Sequence, residues 1–105
     1  MIYLDNAATT FPKPSSVISE TLKCIKSYCA NPGRSSHTLS LMTAEKIFAT
    51  REKIAKFLGI KGKCDRVCFT LNASYGLNFA IKTTLKAGAH VLISHIEHNS
   101  VLRPV

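Results

Sequence analysis

The sequence predicts an α/β fold in which two amphipathic helices precede a strand–helix–strand (βαβ) unit with parallel strands. Three patterns carry that expectation. Ile18, Leu22, Ile25 and Cys29 recur at helical spacing, and Leu41, Ala44, Phe48, Ala55 and Leu58 do so again further on. Two short apolar runs, Arg66–Thr70 and His90–Ser94, then bracket a third helical stretch. Strands in that order lie parallel, and the crossover between them is right-handed.

Each element has its own signals. Residues 1–14 read as an extended arm, because Phe11-Pro12-Lys13-Pro14 sets two prolines at its end. Residues 15–59 hold the two helices. Ser15 and Ser16 are placed to cap the first, with Glu20 near its positive end. Asn31-Pro32-Gly33 is a turn signal that stops it near Ala30. The second helix is expected over Ser40–Leu58, with Ile47 and Ile54 widening its stripe and Gly59 placed to end it. Residues 66–105 hold the βαβ unit and the start of a further element. There Leu71-Asn72-Ala73 turns into a helix over Ser74–Leu85, and Lys86-Ala87-Gly88-Ala89 leads to the second run. Parallel strands are normally buried on both faces of a larger sheet, and two with open edges make a poor complete domain. The sequence is therefore expected to be part of a longer domain.

Composition narrows the function classes. A chain of 105 residues, 46% hydrophobic and 19% charged, has the balance of one soluble globular domain. No apolar run approaches the roughly 20 residues that span a bilayer. The opening Met1-Ile2-Tyr3-Leu4-Asp5 has no signal-peptide pattern, so a cytoplasmic protein with no membrane partner is expected. Lysine and arginine number 14 against 6 acids, a net charge of +8. That excess raises a small basic nucleic-acid-binding or interaction module as an alternative. The charges are spread singly, however, as solvated helix faces carry them, and no nucleic-acid partner is expected. Cys24, Cys29, Cys64 and Cys68 form neither a disulfide framework nor a zinc pattern; they read as reduced thiols, with no metal site.

Three polar segments can carry chemistry. Thr70-Leu71-Asn72-Ala73-Ser74 opens a helix at the carboxyl end of the first run, where unpaired N–H groups and the Ser74 hydroxyl suit a phosphate. Serine is equally an ordinary helix cap. Ser94-His95-Ile96-Glu97-His98-Asn99-Ser100 follows the second run; it suits acid–base chemistry, a metal or a plain solvated loop. Asn31-Pro32-Gly33-Arg34-Ser35-Ser36-His37 is either an interhelical loop or an anion-handling one, with Arg34 as the carboxylate partner.

These segments also follow a known order. Tyr3-Leu4-Asp5-Asn6-Ala7-Ala8-Thr9-Thr10, then Asn31 to Ser40, resemble the opening motifs of cysteine desulfurases and related class V aminotransferases. Arg51 to Gly59, Phe69 to Asn78 and Ile96 to Pro104 are similar to the family's next helix, its cofactor-phosphate turn and its ring-stacking histidine segment. The resemblance covers essentially the whole chain. It implies the N-terminal part of the large domain of a fold-type-I, pyridoxal 5'-phosphate (PLP) dependent transferase.

By position, the resemblance assigns Ala73 (through N–H) and Ser74 (through N–H and hydroxyl) to the cofactor phosphate. His98 would be catalytic and would stack on the pyridine ring. Asn6 and Ala7 would lie near the substrate pocket, and Arg34 and His37 at its entrance. Where the family turn more often carries threonine, Ser74 preserves the donor; Tyr75 stands where the family sometimes has an acid. The implied reaction is sulfur transfer from L-cysteine giving L-alanine, or the corresponding selenocysteine lyase chemistry; another class V aminotransferase or lyase is the alternative. A homodimer (or other self-association) and a sulfur-acceptor protein are implied as partners. The family's Schiff-base lysine, pyridine-pairing aspartate and persulfide cysteine lie downstream of this segment. The chain alone is thus expected to be inactive and not to hold PLP covalently.

Overall fold

The computed structural model of the chain describes residues 2–7, 9–33 and 37–105. Its elements are α1 (Ser15–Ser27), α2 (Thr38–Phe57), a single 3₁₀ turn (Cys64–Arg66), α3 (Ala73–Thr84) and the short α4 (Asn99–Leu102). They fall into two units, Met1–Cys64 and Asp65–Val105.

In the first unit the arm closes a small loop. The Tyr3 hydroxyl lies 3.2 Å from the carbonyl oxygens of Asp5 and Thr9. The Tyr3 and Phe11 rings meet edge to face with centroids 5.6 Å apart, a favoured arrangement of their quadrupoles. Helix α1 starts at Pro14, whose carbonyl accepts the first helical N–H; neither Ser15 nor Ser16 caps it, since both lie inside its first turn. Proline suits this place because its fixed φ matches the entry to a helix and it loses no bonded N–H there.

Helix α2 is held against the segment after α1 mostly by polar ties. Ser40, 1% exposed, donates its hydroxyl to Asn31 O at 2.7 Å. Thr43 Oγ1 accepts the Ala30 N–H at 3.3 Å and also meets Tyr28 O. Tyr28 and Ala55 are the buried apolar side chains of this unit among the described residues. The stripe of Ile18, Leu22 and Ile25 on α1 stays exposed. The end of α2 is a Schellman motif: Ile60 N–H bonds Ala55 O at 2.9 Å and Gly59 N–H bonds Lys56 O at 3.2 Å. Gly59 takes φ +75°, the left-handed conformation that such an end requires and that side-chain-bearing residues avoid.

The second unit departs from the expected βαβ arrangement. Among the described residues there is no strand. Arg66 belongs to the 3₁₀ turn, residues 67–70 and 90–94 are neither helix nor strand, and the fold seen is helical. The physical reason is that an apolar run reports a wish for burial, whereas a strand exists only with a neighbour to satisfy its N–H and C=O groups. Of the two runs only Val67 is buried, and Leu92 is fully exposed. Helix α3 does form, two residues from the turn at Leu71 and packed against α4. Gly76 lets α3 sit close to the preceding segment, since a Cβ there would lie 3.2 Å from Thr70 Oγ1.

Candidate functional site

The first turn of α3 is built to leave donors free. Asn72 is its N-cap in extended conformation, and its Oδ1 accepts the Tyr75 N–H at 2.9 Å. The Thr70 hydroxyl donates to Asn72 O at 3.0 Å and so braces the cap. Among the described residues, the N–H groups of Ala73 and Ser74 have no hydrogen-bond partner. Together with the partial positive charge at the end of a 12-residue helix, they make a place where an anion is favoured. Beside it runs an open groove of about 430 Å³, wide enough for a small ligand and lined by Ser74, Tyr75, Asn78 and Lys82. The residues at 74, 78 and 82 follow one another at helical spacing, so this groove is a single face of α3.

His98 caps α4. Its Nδ1 accepts the Ser100 N–H at 3.1 Å and lies 2.8 Å from Ser100 Oγ. A ring nitrogen that accepts carries no proton, so the neutral ring bears its hydrogen on Nε2. Ser100 Oγ also lies 2.7 Å from Ser74 Oγ. Ser74 and His98, 24 residues apart in sequence, are thus joined through one intervening hydroxyl. Ser74 and His98 are exposed, while Ser100 is 9% exposed. On the other side of His98, the Ser94 hydroxyl donates to Glu97 Oε1 at 2.7 Å and ties the turn that leads into the cap.

The remaining predicted residues belong to the first unit. Asn6 is exposed but both ends of its amide are engaged: Nδ2 faces Tyr3 O at 3.4 Å and Oδ1 accepts the Phe11 N–H at 3.2 Å. Ala7 is exposed in the turn beside it. His37 caps α2, its Nδ1 accepting the Ser40 N–H at 3.2 Å. Arg34 lies outside the described residues. The four cysteines are free thiols, and among the described residues no three His, Cys, Asp or Glu side chains gather as a metal site requires. No helix among them is long and apolar enough to cross a membrane.

Whether this geometry suits PLP turns on its donor set. A phosphate ester needs convergent N–H and O–H donors, and Ala73 N–H, Ser74 N–H and the Ser74 hydroxyl supply them on one helix end. An aromatic ring needs a flat partner nearby, and His98 is tied to that same serine through Ser100. The residues present fit the group. Sequence reasoning singled out Ser74 and His98 but missed Ser100, whose only sequence signal was its place two residues after the histidine.

The family model described as Aminotransferase class-V matches residues 2–105. A probable cysteine desulfurase of Methanothermobacter thermautotrophicus is 36% identical over 104 residues, covering 98% of this chain and 25% of that protein. The cysteine desulfurase IscS of Dictyoglomus turgidum is 37% identical over 107 residues, covering 98% of this chain and 26% of its own. A probable cysteine desulfurase of Synechocystis is 32% identical over 108 residues, with coverages of 99% and 25%. The chain therefore spans about a quarter of the length of the curated relatives it matches. No solved structure matches it at a significant level. With a family match that runs over nearly every residue, the chain belongs to the class-V aminotransferases.

Proposed function

We propose that this chain is the part of a PLP-dependent cysteine desulfurase that holds the cofactor's phosphate and covers its ring. The observation that carries the proposal is the link from Ser74 through Ser100 to His98, because it joins the two residues that the family motifs assign to phosphate and ring. Ala73 N–H, Ser74 N–H and the Ser74 hydroxyl donate to phosphate oxygens, and the dipole of α3 adds to the attraction. His98 presents its ring face for stacking, a contact of about 0.5–1.5 kcal/mol, and keeps its Nε2–H outward as a donor. When bound, PLP supplies the electron sink for chemistry at the amino acid.

In the same reading Asn6 and Ala7 border the amino-acid substrate, Arg34 meets its carboxylate, and His37 stands at the entrance. Asn6 does so with its amide already committed, so its part is to shape the loop that presents Ala7. L-cysteine is the substrate, alanine the product, and the sulfur passes to an acceptor protein; the enzyme is a cytoplasmic homodimer. Residues 66–70 and 90–94 are strand segments of the large-domain sheet, which form ladders when neighbouring strands are present. Within this chain PLP is held without a covalent bond.

Titration of the 105-residue chain with PLP tests the reading. Binding should be saturable, resist competition by pyridoxal, which lacks the phosphate, and weaken in both Ser74→Ala and His98→Ala. Borohydride treatment at stoichiometric cofactor should add no cofactor mass at a single lysine. Uptake that neither substitution alters would refute the assignment.

A further inference from the structure

We infer that Ser100 is a positioning residue whose hydroxyl couples an anion at Ser74 to the ring nitrogen of His98; this rests on the cofactor reading above and deepens it. Ser100 and Ser40 are the buried polar side chains among the described residues. A buried hydroxyl must be satisfied, and Ser100 Oγ is satisfied by the two groups proposed to face the cofactor, at 2.7 Å and 2.8 Å.

Counting protons shows what the link does. Each serine hydroxyl has one hydrogen to give, and neutral His98 has one acceptor lone pair at Nδ1. In one arrangement Ser100 O–H donates to His98 Nδ1 and Ser74 O–H donates to Ser100 Oγ. The Ser74 hydrogen is then spent internally. In the other, Ser100 O–H donates to Ser74 Oγ, the Ser74 hydrogen points outward, and the Ser100 N–H at 3.1 Å alone caps Nδ1. An ionised phosphate presents several acceptor oxygens, so its arrival at Ser74 calls for an outward hydrogen and selects the second arrangement. Only hydroxyl hydrogens rotate; no heavy atom need move. Phosphate binding is thereby read at the histidine ring, and the ring is kept in register with the phosphate.

Long-range nitrogen–proton NMR of the His98 ring in the whole chain tests this, at a pH well above the ordinary imidazole range and with inorganic phosphate as the probe. Phosphate should move the Nδ1 resonance toward that of a less strongly bonded acceptor. The shift should vanish in Ser100→Ala and persist in Ser100→Thr, which keeps the hydroxyl. PLP affinity should fall roughly two- to tenfold in Ser100→Ala, the loss of one hydrogen bond, and return in Ser100→Thr. An equal shift in Ser100→Ala, or none in the unsubstituted chain, would overturn the inference while PLP binding could still stand. A phosphate shift that depends on Ser100 in a chain that takes up no PLP would uphold the coupling and remove the cofactor reading instead. Backbone amide spectra of both variants are the check on the fold: where they match the unsubstituted chain, a change confined to His98 and Ser74 cannot come from unfolding.

Discussion

Substituting Asn72 separates what holds α3 from what α3 can bind. Asn72 Oδ1 accepts the Tyr75 N–H at 2.9 Å, and its backbone carbonyl accepts the Gly76 N–H at 3.1 Å. Asn72→Ala removes the side-chain cap and should cost about 1 kcal/mol of stability, within the usual range of about 0.5–2. Asn72→Asp keeps an acceptor oxygen in place and sets a negative charge at the positive end of the helix. Stability should then hold or rise by about 0.3–1 kcal/mol. For an incoming phosphate the same carboxylate is repulsive. Two unit charges at about 4 Å interact by about 1 kcal/mol in water, and a phosphate ester carries nearly two, so affinity should fall roughly five- to thirtyfold. Urea unfolding followed by helical circular dichroism gives the stabilities, and titration with inorganic phosphate and PLP gives the affinities. The expected order of stability is Asp at or above Asn, then Ala. The expected order of affinity is Asn close to Ala, with Asp well below. An aspartate variant that binds phosphate as tightly as the unsubstituted chain would refute an anion site at this helix end.

Other substitutions test the frame of the first unit. Ser40→Ala removes a buried bond of 2.7 Å to Asn31 O and should lower stability in urea by about 1 kcal/mol, whereas Ser16→Ala, at an exposed position, should change it little. Gly59→Ala forces a side chain into φ +75° and should cost about 1–2 kcal/mol, with Gly59→Asn recovering part of the loss. The Glu20 carboxylate is hydrogen-bonded to the Lys46 ammonium at 2.8 Å, which holds its pKa below the ordinary carboxylate value. A lowered pKa contributes stability that is present above the unfolded-state value and lost as pH falls through the folded one. Acidification below the ordinary carboxylate range should therefore remove it. Glu20→Gln should flatten that limb of the stability curve, and roughly 1 M salt should do the same, since both side chains are half exposed. Exposed Ile25, Phe57 and Leu92 should drive concentration-dependent self-association in sedimentation, reduced in Leu92→Lys.

Local signals were legible where local chemistry decides the outcome. Periodicity placed three helices because a helix satisfies its own backbone, and the conformational demand on Gly59 is a property of a single residue. The caps were read less well. Serine was expected at the start of α1, yet proline stands there, and α2 and α4 are both capped by histidine through Nδ1. Histidine is not among the habitual capping residues, so nothing in composition pointed to it. The expected strands are not formed among the described residues for the opposite reason: residues 66–70 and 90–94 have the apolar character of buried strands, but pairing depends on residues far away in sequence.

The same distinction explains the site. Ser74 and His98 were each visible, one as a donor on a helix end and the other as a polar residue after an apolar run. What joins them is not a motif. Ser100 lies 26 residues from Ser74, and its hydroxyl reaches that serine because α3 and α4 pack together. Its reach back to His98 follows from the capping geometry of α4, where the residue two positions on offers both N–H and O–H to the same ring nitrogen. The cap that orients the His98 ring and the Ser74 hydroxyl at the start of α3 thus share one hydroxyl. That sharing makes Ser74 and His98, the two cofactor contacts of the proposed function, a single hydrogen-bonded unit, so that a substitution at either should be felt at the other, and one at Ser100 should be felt at both.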